Sequence, residues 1–321
     1  MQELLTDNFR AFSARIGADP LQIQGPGGNT SIKDDTVMWI KASGKELANA
    51  VTSEIFVAVD RQAAAAEAHG AGDGTCKATV LDQEVALRPS IETTFHAVLD
   101  WRVVAHSHSV AVISHVISPE GRKVAQERLA DLTPVFVPYA KPGLPLTKAI
   151  LERITPATRL ILLENHGLIV CGETTAEAEA LMQRVEQRLE RAPVEVTPFT
   201  PDTEPQDGFA WAGEENWLAQ DPGALARISA GSYYPDHVVF LGPALPTEDN
   251  DNTPPAILVP GVGIQVRTGA TATQKAMLRC LSDVFRRVPP HWEVEPIGPD
   301  AEASLLNWDA EKYRQSLAKK G

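Results

Sequence analysis

The chain has 321 residues, with 42 acidic against 29 basic side chains and a formal net charge of −13. This length suits two domains with a sizeable core, and the acidity argues against nucleic acid or an anionic membrane surface as the main partner. Cys76, Cys171 and Cys280 lie far apart without a CxxC pair, which argues against a disulfide framework or a cysteine zinc site.

Helical and β-type patterns alternate through the first 190 residues. Residues 3–17 have apolar positions at helical spacing and predict an opening helix. Their early acidic residues are unlike a signal peptide, and no apolar run reaches the length of a membrane span. We therefore expect a cytoplasmic protein. A glycine turn then precedes the strand VMWIKA, and Pro89 and Ser90 begin a helix predicted to run through Leu99. The later predictions are a buried strand that leads into a helix in VVAHSHSVAVIS, an extended TPVFVPYAKPG, a helix at LTKAILERI, two strands in RLILLENHGLIVCG and a helix from TTAEAEAL onward.

A segment rich in proline and acidic residues, at about 192–209, indicates a linker. We therefore expect one domain over residues 1–195 and a smaller α/β domain of unknown role over 210–321. In the second region, DHVVFLG, AILVPG and VGIQVR are predicted strands, and TATQKAMLRCLSDVFRRV and NWDAEKYRQSLA are predicted helices.

Three histidines indicate a metal site. His106 and His108 are two positions apart in a β-type run, so both imidazoles face the same side of the strand. His166 lies in a polar turn between two apolar strands, from which it can reach inward. Each motif alone also fits an incidental surface histidine, but three histidines from two strand ends fit a catalytic zinc with an open position.

Glu92, in PSIETTFH, shares a helix face with His96 at the i, i+4 spacing. Such a glutamate can be a surface ion pair or a helix-terminal acid, whereas beside a divalent cation it can move a proton to or from a substrate. His96 is interpreted as a structural or supporting residue rather than a ligand.

Glycine-rich segments offer anion sites but no nucleotide motif. GPGGNTS and KASGK are neither a GxGxxG nor a Walker sequence, yet their exposed backbone amides can form small anion nests. Together with Ser90, these groups could hold a phosphate or carboxylate. The segment PGVGIQVRTG is interpreted as a hairpin turn.

These blocks together resemble the class II aldolase/adducin superfamily, which includes fuculose- and rhamnulose-phosphate aldolases. GGNTS, KASGKEL, PSIE, HSH and ENHGLIVCG occur in family order over about residues 5–190. The resemblance implies a three-layer α/β/α domain with a mostly antiparallel central sheet. It also implies a homotetramer and a zinc ion, or another divalent cation such as Mn²⁺, Co²⁺ or Fe²⁺.

Carried onto this sequence, the resemblance implies His106, His108 and His166 as metal ligands and Glu92 as the acid/base. It further implies substrate or anion contacts from these residues: Gly28, Asn29, Ser43, Gly44, Ser90 and Tyr139.

Two departures bear on function. Fuculose-phosphate aldolases have two serines before the glutamate, whereas here Ser90 is followed by Ile91, which removes one phosphate contact. The C-terminal region resembles that of fusions between an aldolase-like domain and a short-chain dehydrogenase. Since no Rossmann fingerprint is present, we predict no nicotinamide cofactor.

The sequence thus predicts a metal-dependent aldolase that cleaves a ketose-type sugar or sugar phosphate through a metal-stabilised enediolate. The alternatives are an epimerase or decarboxylase on the same fold, an adducin-like scaffold without activity, and a zinc hydrolase. The scaffold is disfavoured because it needs no open metal site, and the hydrolase because HExxH is absent.

Overall fold

A mixed, mostly antiparallel sheet forms the centre of this computed structural model, which describes residues 2–249 and 253–318. Within those residues the sheet has seven strands in the order β3-β2-β1-β4-β7-β6-β5. Only β5 and β6 pair in parallel. The strands are β1 Asn29–Lys33, β2 Val37–Lys41, β3 Phe56–Asp60, β4 Val103–Ser107, β5 Val135–Val137, β6 Leu160–Leu163 and β7 Gly167–Gly172.

Helices cover both faces of this sheet, because its strands are apolar on both sides. Val103 and Ala105 of β4 pack into one core with the first, fourth and seventh helices, whereas Val104 faces the opposite core with the third and sixth. The predicted three-layer α/β/α fold is confirmed. The helices are α1 Asp7–Ala18, α2 Arg61–Ala66, α3 Thr93–Val98, α4 Val110–Val116, α5 Pro119–Arg128, α6 Leu144–Leu151 and α7 Thr175–Leu189.

Helix α3 begins later than the sequence predicted. Pro89 instead forms an isolated antiparallel bridge with Ala42, which holds the chain extended up to Ser90. The helix starts at Thr93, with Glu92 in the N-cap position at φ −107° and ψ 11°. Glu92 therefore lies at the N-terminus of the helix, next to the KASGK loop.

The C-terminal region has its own small antiparallel sheet, with the order β8-β10-β9. The predicted strands AILVPG and VGIQVR are confirmed, and residues 190–208 contain no helix or strand. The strands are β8 Phe209–Trp211, β9 Ala256–Val259 and β10 Gly263–Arg267; the helices are α8 Trp217–Gln220, α9 Pro222–Ile228, α10 Pro235–Leu241, α11 Ala272–Phe285, α12 Pro299–Leu306 and α13 Asp309–Ala318. No helix of the described residues is both long and apolar enough to cross a lipid bilayer.

The prediction of a strand at DHVVFLG is wrong, because this segment is helix α10. All seven of its residues are buried, so no polar face shows the helical period. Pro235 at the helix start and Gly242, with φ +98° just beyond its end, fit a helix with defined boundaries.

Helix α4 joins the two regions. Val112 and Val116 pack against the core of the large sheet, while Val110, Ile113 and the following Ile117 pack into the C-terminal core. Every residue of α4 is buried. The C-terminal region thus packs against the helix that follows β4. The domain division at 195 and 210 stays a prediction.

Candidate metal centre

Three buried histidines meet at one end of the large sheet. His106 lies in β4, His108 follows the end of that strand, and His166 lies in the turn between β6 and β7. One nitrogen from each ring lies within 4.8 Å of the other two, and the ring centroids are 4.9–5.3 Å apart. The structure therefore brings together the three predicted ligands, in a donor set that suits one divalent ion.

A tight approach of backbones places His166 beside β4. Gly167 lies next to Ser107, so close that a Cβ at Gly167 would lie 2.3 Å from the Ser107 carbonyl oxygen. Asn165 adopts a left-handed conformation, with φ +54°, to turn the chain. The ENHG motif thus contains a turn residue, a candidate ligand and a glycine that allows β4 and β7 to approach each other closely.

Hydrogen bonding fixes the proton on His106. Its Nδ1 donates to the Leu168 carbonyl oxygen at 3.0 Å, so the lone pair lies on Nε2, which faces the cluster. Burial, opposed in part by Glu92, lowers the pKa of His106 to about 4. Burial and the neighbouring His106 hold the pKa of His166 well below its usual value. Both rings are therefore neutral near pH 7, as metal binding requires.

Glu92 points into the same cluster. Its Oε2 lies 3.6 Å from His106 Nε2, and its Oε1 lies 3.6 Å from His166 Nε2. Asn29 Nδ2 donates to Oε2 at 2.8 Å. Among the described residues, Glu92 Oε1, His106 Nε2 and His166 Nδ1 are buried without a hydrogen-bond partner. Buried polar atoms are rarely left unpaired, so this group of orphaned atoms fits a site for a cation.

A chain of hydrogen bonds supports Glu92 from behind. Asn29 Nδ2 donates to Glu92 and also to Ser90 Oγ at 3.2 Å, so Asn29 Oδ1 is the acceptor for a short bond from His96 Nε2. His96 Nδ1 then accepts from Ser31 Oγ at 2.7 Å. His96 thus supports Asn29 and lies outside the three-histidine cluster.

The predicted anion contacts line a small cavity of about 30 Å³ beside the histidines. Leu317 of α13 covers Gly44, where an added Cβ would lie 2.3 Å from Leu317 Cδ1. Tyr139 is the exception: it does not line this cavity, and its hydroxyl has no hydrogen-bond partner among the described residues. The lining includes these predicted residues: Gly28, Asn29, Ser43, Gly44, Ser90, Glu92, His108 and His166.

Three further charged residues line the cavity, and of these only Lys41, in the KASGK segment, lies in a block that the sequence analysis singled out. Lys41 donates to the carbonyls of Pro26 and Lys45, and burial lowers its pKa to about 7. Asp236 comes from α10 and Arg314 from α13. The sequence analysis placed Asp236 on a predicted strand and Arg314 on a predicted helix, where a charged residue normally indicates a solvated face.

Comparisons with known proteins identify the family of residues 15–192. The sequence model for the class II aldolase and adducin N-terminal domain matches residues 15–192. The "uncharacterized oxidoreductase YuxG" of Bacillus subtilis (strain 168) is 32% identical over 197 residues, which cover 54% of this chain and 28% of that protein. This chain thus matches less than a third of that relative's length.

One solved structure supports the same fold, and a second matches this chain more distantly. The N-terminal class II aldolase domain of a conserved Thermoplasma acidophilum protein is 28% identical, with a TM-score of 0.50, over 57% of this chain and 91% of that one. The L-fuculose-1-phosphate aldolase of Thermus thermophilus is 20% identical, with a TM-score of 0.40, over 59% and 93%. Since the family match spans more than half of the 321 residues, this chain belongs to the class II aldolase and adducin N-terminal domain family.

Proposed function

We propose that this protein is a metal-dependent aldolase that cleaves a C–C bond in a ketose-type sugar or sugar phosphate. The observation that carries the proposal is the convergence of three buried imidazoles with the buried carboxylate of Glu92. Membership of the family supports it. A scaffold would have no use for orphaned metal-binding atoms beside a carboxylate with a free oxygen.

His106, His108 and His166 would hold the ion, either Zn²⁺ or another divalent cation such as Mn²⁺, Co²⁺ or Fe²⁺. When bound, such an ion supplies Lewis-acid stabilisation of the negative charge that develops on a carbonyl oxygen during C–C cleavage. The bond from His106 Nδ1 to Leu168 leaves a lone pair on His106 Nε2, the nitrogen that faces the cluster.

Glu92 would manage the proton. Retro-aldol cleavage removes a hydroxyl proton, breaks the C–C bond, releases an aldehyde and leaves a carbon that must be protonated. Asn29 holds Glu92 Oε2, while Oε1 is free among the described residues to exchange a proton with that carbon. The hydrogen bonds through His96 and Asn29 keep the carboxylate in one orientation.

A neighbouring cavity gives the substrate room. The 30 Å³ space beside the histidines is large enough for a water molecule. A cavity of about 590 Å³ adjoins it, shares Ser43 and Ile91, and lies in the usual size range for small ligands. Lys77, Arg88 and Lys141 line this larger space together with Asp73 and Asp309. An anionic end of the substrate therefore has cationic groups there, despite the missing serine at position 91.

The test is turnover of a panel of sugar phosphates and free ketoses by the metal-loaded protein. We expect release of an aldehyde, and about 10²- to 10⁴-fold less of it in Glu92→Gln, which retains the metal. Epimerised product without cleavage would assign the protein as an epimerase, and released carbon dioxide as a decarboxylase. Metal binding without any turnover would contradict the enzyme proposal. Light scattering on the same sample tests the homotetramer.

A further inference from the structure

Asp236, from the C-terminal region, contacts the candidate ligand His108. Asp236 Oδ2 lies 3.2 Å from His108 Nδ1, and both side chains are buried. Because an ionised carboxylate only accepts hydrogen bonds, His108 Nδ1 donates, and its lone pair lies on Nε2. Gly27 closes this contact from a third side: a Cβ there would lie 2.8 Å from His108 Nδ1 and 2.9 Å from Asp236 Oδ2.

Helix α13 fixes Asp236 in turn. The buried Arg314 lies 2.9 Å from Asp236 Oδ1, and its Nη2 donates to Oδ2 at 3.1 Å. Its Nη1 donates to both oxygens of the buried Glu311, at 2.9 and 3.1 Å. A planar guanidinium between two carboxylates restricts the rotation of each, so Asp236 presents one orientation to His108.

The same region also secures the turn that carries His166. Asn165 Nδ2 donates to the carbonyl oxygens of Tyr233, at 3.1 Å, and Glu295, at 2.7 Å. Asn165 holds an uncommon left-handed conformation that such bonds help to maintain. Two of the three ligand-bearing segments are therefore attached to residues beyond 230.

We propose that Asp236 is a positioning residue of the metal centre and that the C-terminal region holds His108 and His166 in the geometry that binds the ion. This rests on the metal role of the three histidines in the proposed function, but not on the reaction or the substrate. By thermodynamic reciprocity, a bound ion stabilises the attachment of the C-terminal region to the sheet.

The decisive experiment compares the zinc affinity of Asp236→Asn and wild-type protein by competition with a chelator. The amide can offer its NH₂ group to His108 Nδ1, which favours the tautomer with a proton on Nε2. We expect zinc affinity to fall about 10- to 100-fold, and the rise in Tm on adding zinc to shrink. Asp283→Asn is the matched control, because Asp283 is a carboxylate of α11 that pairs with Arg279 and Arg287 outside this cavity.

The second variant, Asn165→Gly, keeps the left-handed backbone accessible while removing both amide bonds. We expect its zinc affinity to fall about 2- to 10-fold. Unchanged affinity in Asp236→Asn, or an equal loss in Asp283→Asn, would overturn the inference. If His106→Ala also leaves zinc binding unchanged, the three histidines are not the metal site. If His106→Ala loses zinc while Asp236→Asn retains it, the metal site is correct and only the positioning role of Asp236 is wrong.

Discussion

The sheet region and the C-terminal region contribute to the site in different ways. The sheet region carries the predicted reacting groups at strand ends and turns, and the C-terminal region contributes Asp236 and Arg314 from helices. Reacting groups lie in short motifs because strand ends and turns fix their direction locally. The groups that orient them depend on tertiary packing, which leaves no motif. The following experiments test this division, from the largest expected effect to the smallest.

Replacing His106 by alanine tests the reacting groups. We expect zinc affinity to fall at least about 10³-fold, which corresponds to about 4 kcal/mol, because a three-ligand site becomes a two-ligand site. Elemental analysis after dialysis should find about one zinc per chain in wild type and almost none in the variant. His115→Ala is the control, since that buried histidine of α4 lies outside the cluster. Equal zinc content in His106→Ala and wild type would contradict the ligand set.

The shared helix α4 allows a test of whether the two regions unfold together. Ile113→Ala creates a space in the C-terminal core, and we expect a loss of about 2–5 kcal/mol in one cooperative urea transition. Ile150→Ala in α6 removes the same atoms from a core of the sheet region alone. Two separate transitions in Ile113→Ala would show that the regions unfold independently.

The support behind Glu92 should have a smaller effect on turnover. His96→Leu removes the donor to Asn29, so Glu92 loses a fixed orientation. We expect activity to fall about 10- to 100-fold, equivalent to about 1.4–2.7 kcal/mol, with zinc affinity unchanged. A matching loss of zinc would instead place His96 in the metal site.

Lys33 in β1 predicts a pH effect that lies outside the site. Its Nζ is buried with no hydrogen-bond partner within residues 2–249 and 253–318, and burial lowers its pKa to about 7. Between pH 7 and about 10.4, the unfolded lysine binds more protons than the folded one, so stability rises with pH in this window. Lys33→Met lacks this contribution, and we expect it to be about 1–2 kcal/mol more stable than wild type at pH 7.

Urea unfolding at pH 7 and pH 9.5 measures both parts of that prediction. The advantage of Lys33→Met should narrow at pH 9.5, where the wild-type lysine is neutral in the fold. Lys41 titrates in the same range in both proteins, so the difference isolates Lys33. A constant difference between the two pH values would contradict the prediction.

Local patterns were enough to predict most strands of the large sheet, the longer helices and the residues of the histidine cluster, whereas the mostly antiparallel arrangement of the sheet was implied by the family resemblance. Alternation in VVAHSH gave the side on which His106 lies, and the ENHG turn gave the reach of His166. Helix α10 was predicted as a strand because burial on every side removes the helical period of polar residues. The position of Asp236 near the histidines could therefore not be predicted. Arg314 could not be found, because burial of one charge on a polar helix depends on partners distant in sequence.

The small space over the histidines has a practical consequence for ligand crystallography. Arg314 lines this 30 Å³ cavity and Leu317 covers Gly44, so α13 borders the space that a sugar would need beside the histidines. We expect lattice contacts on α13 to hinder the entry of a sugar into grown crystals more than that of a metal ion. Complexes should therefore be prepared by mixing ligand and protein before crystal growth.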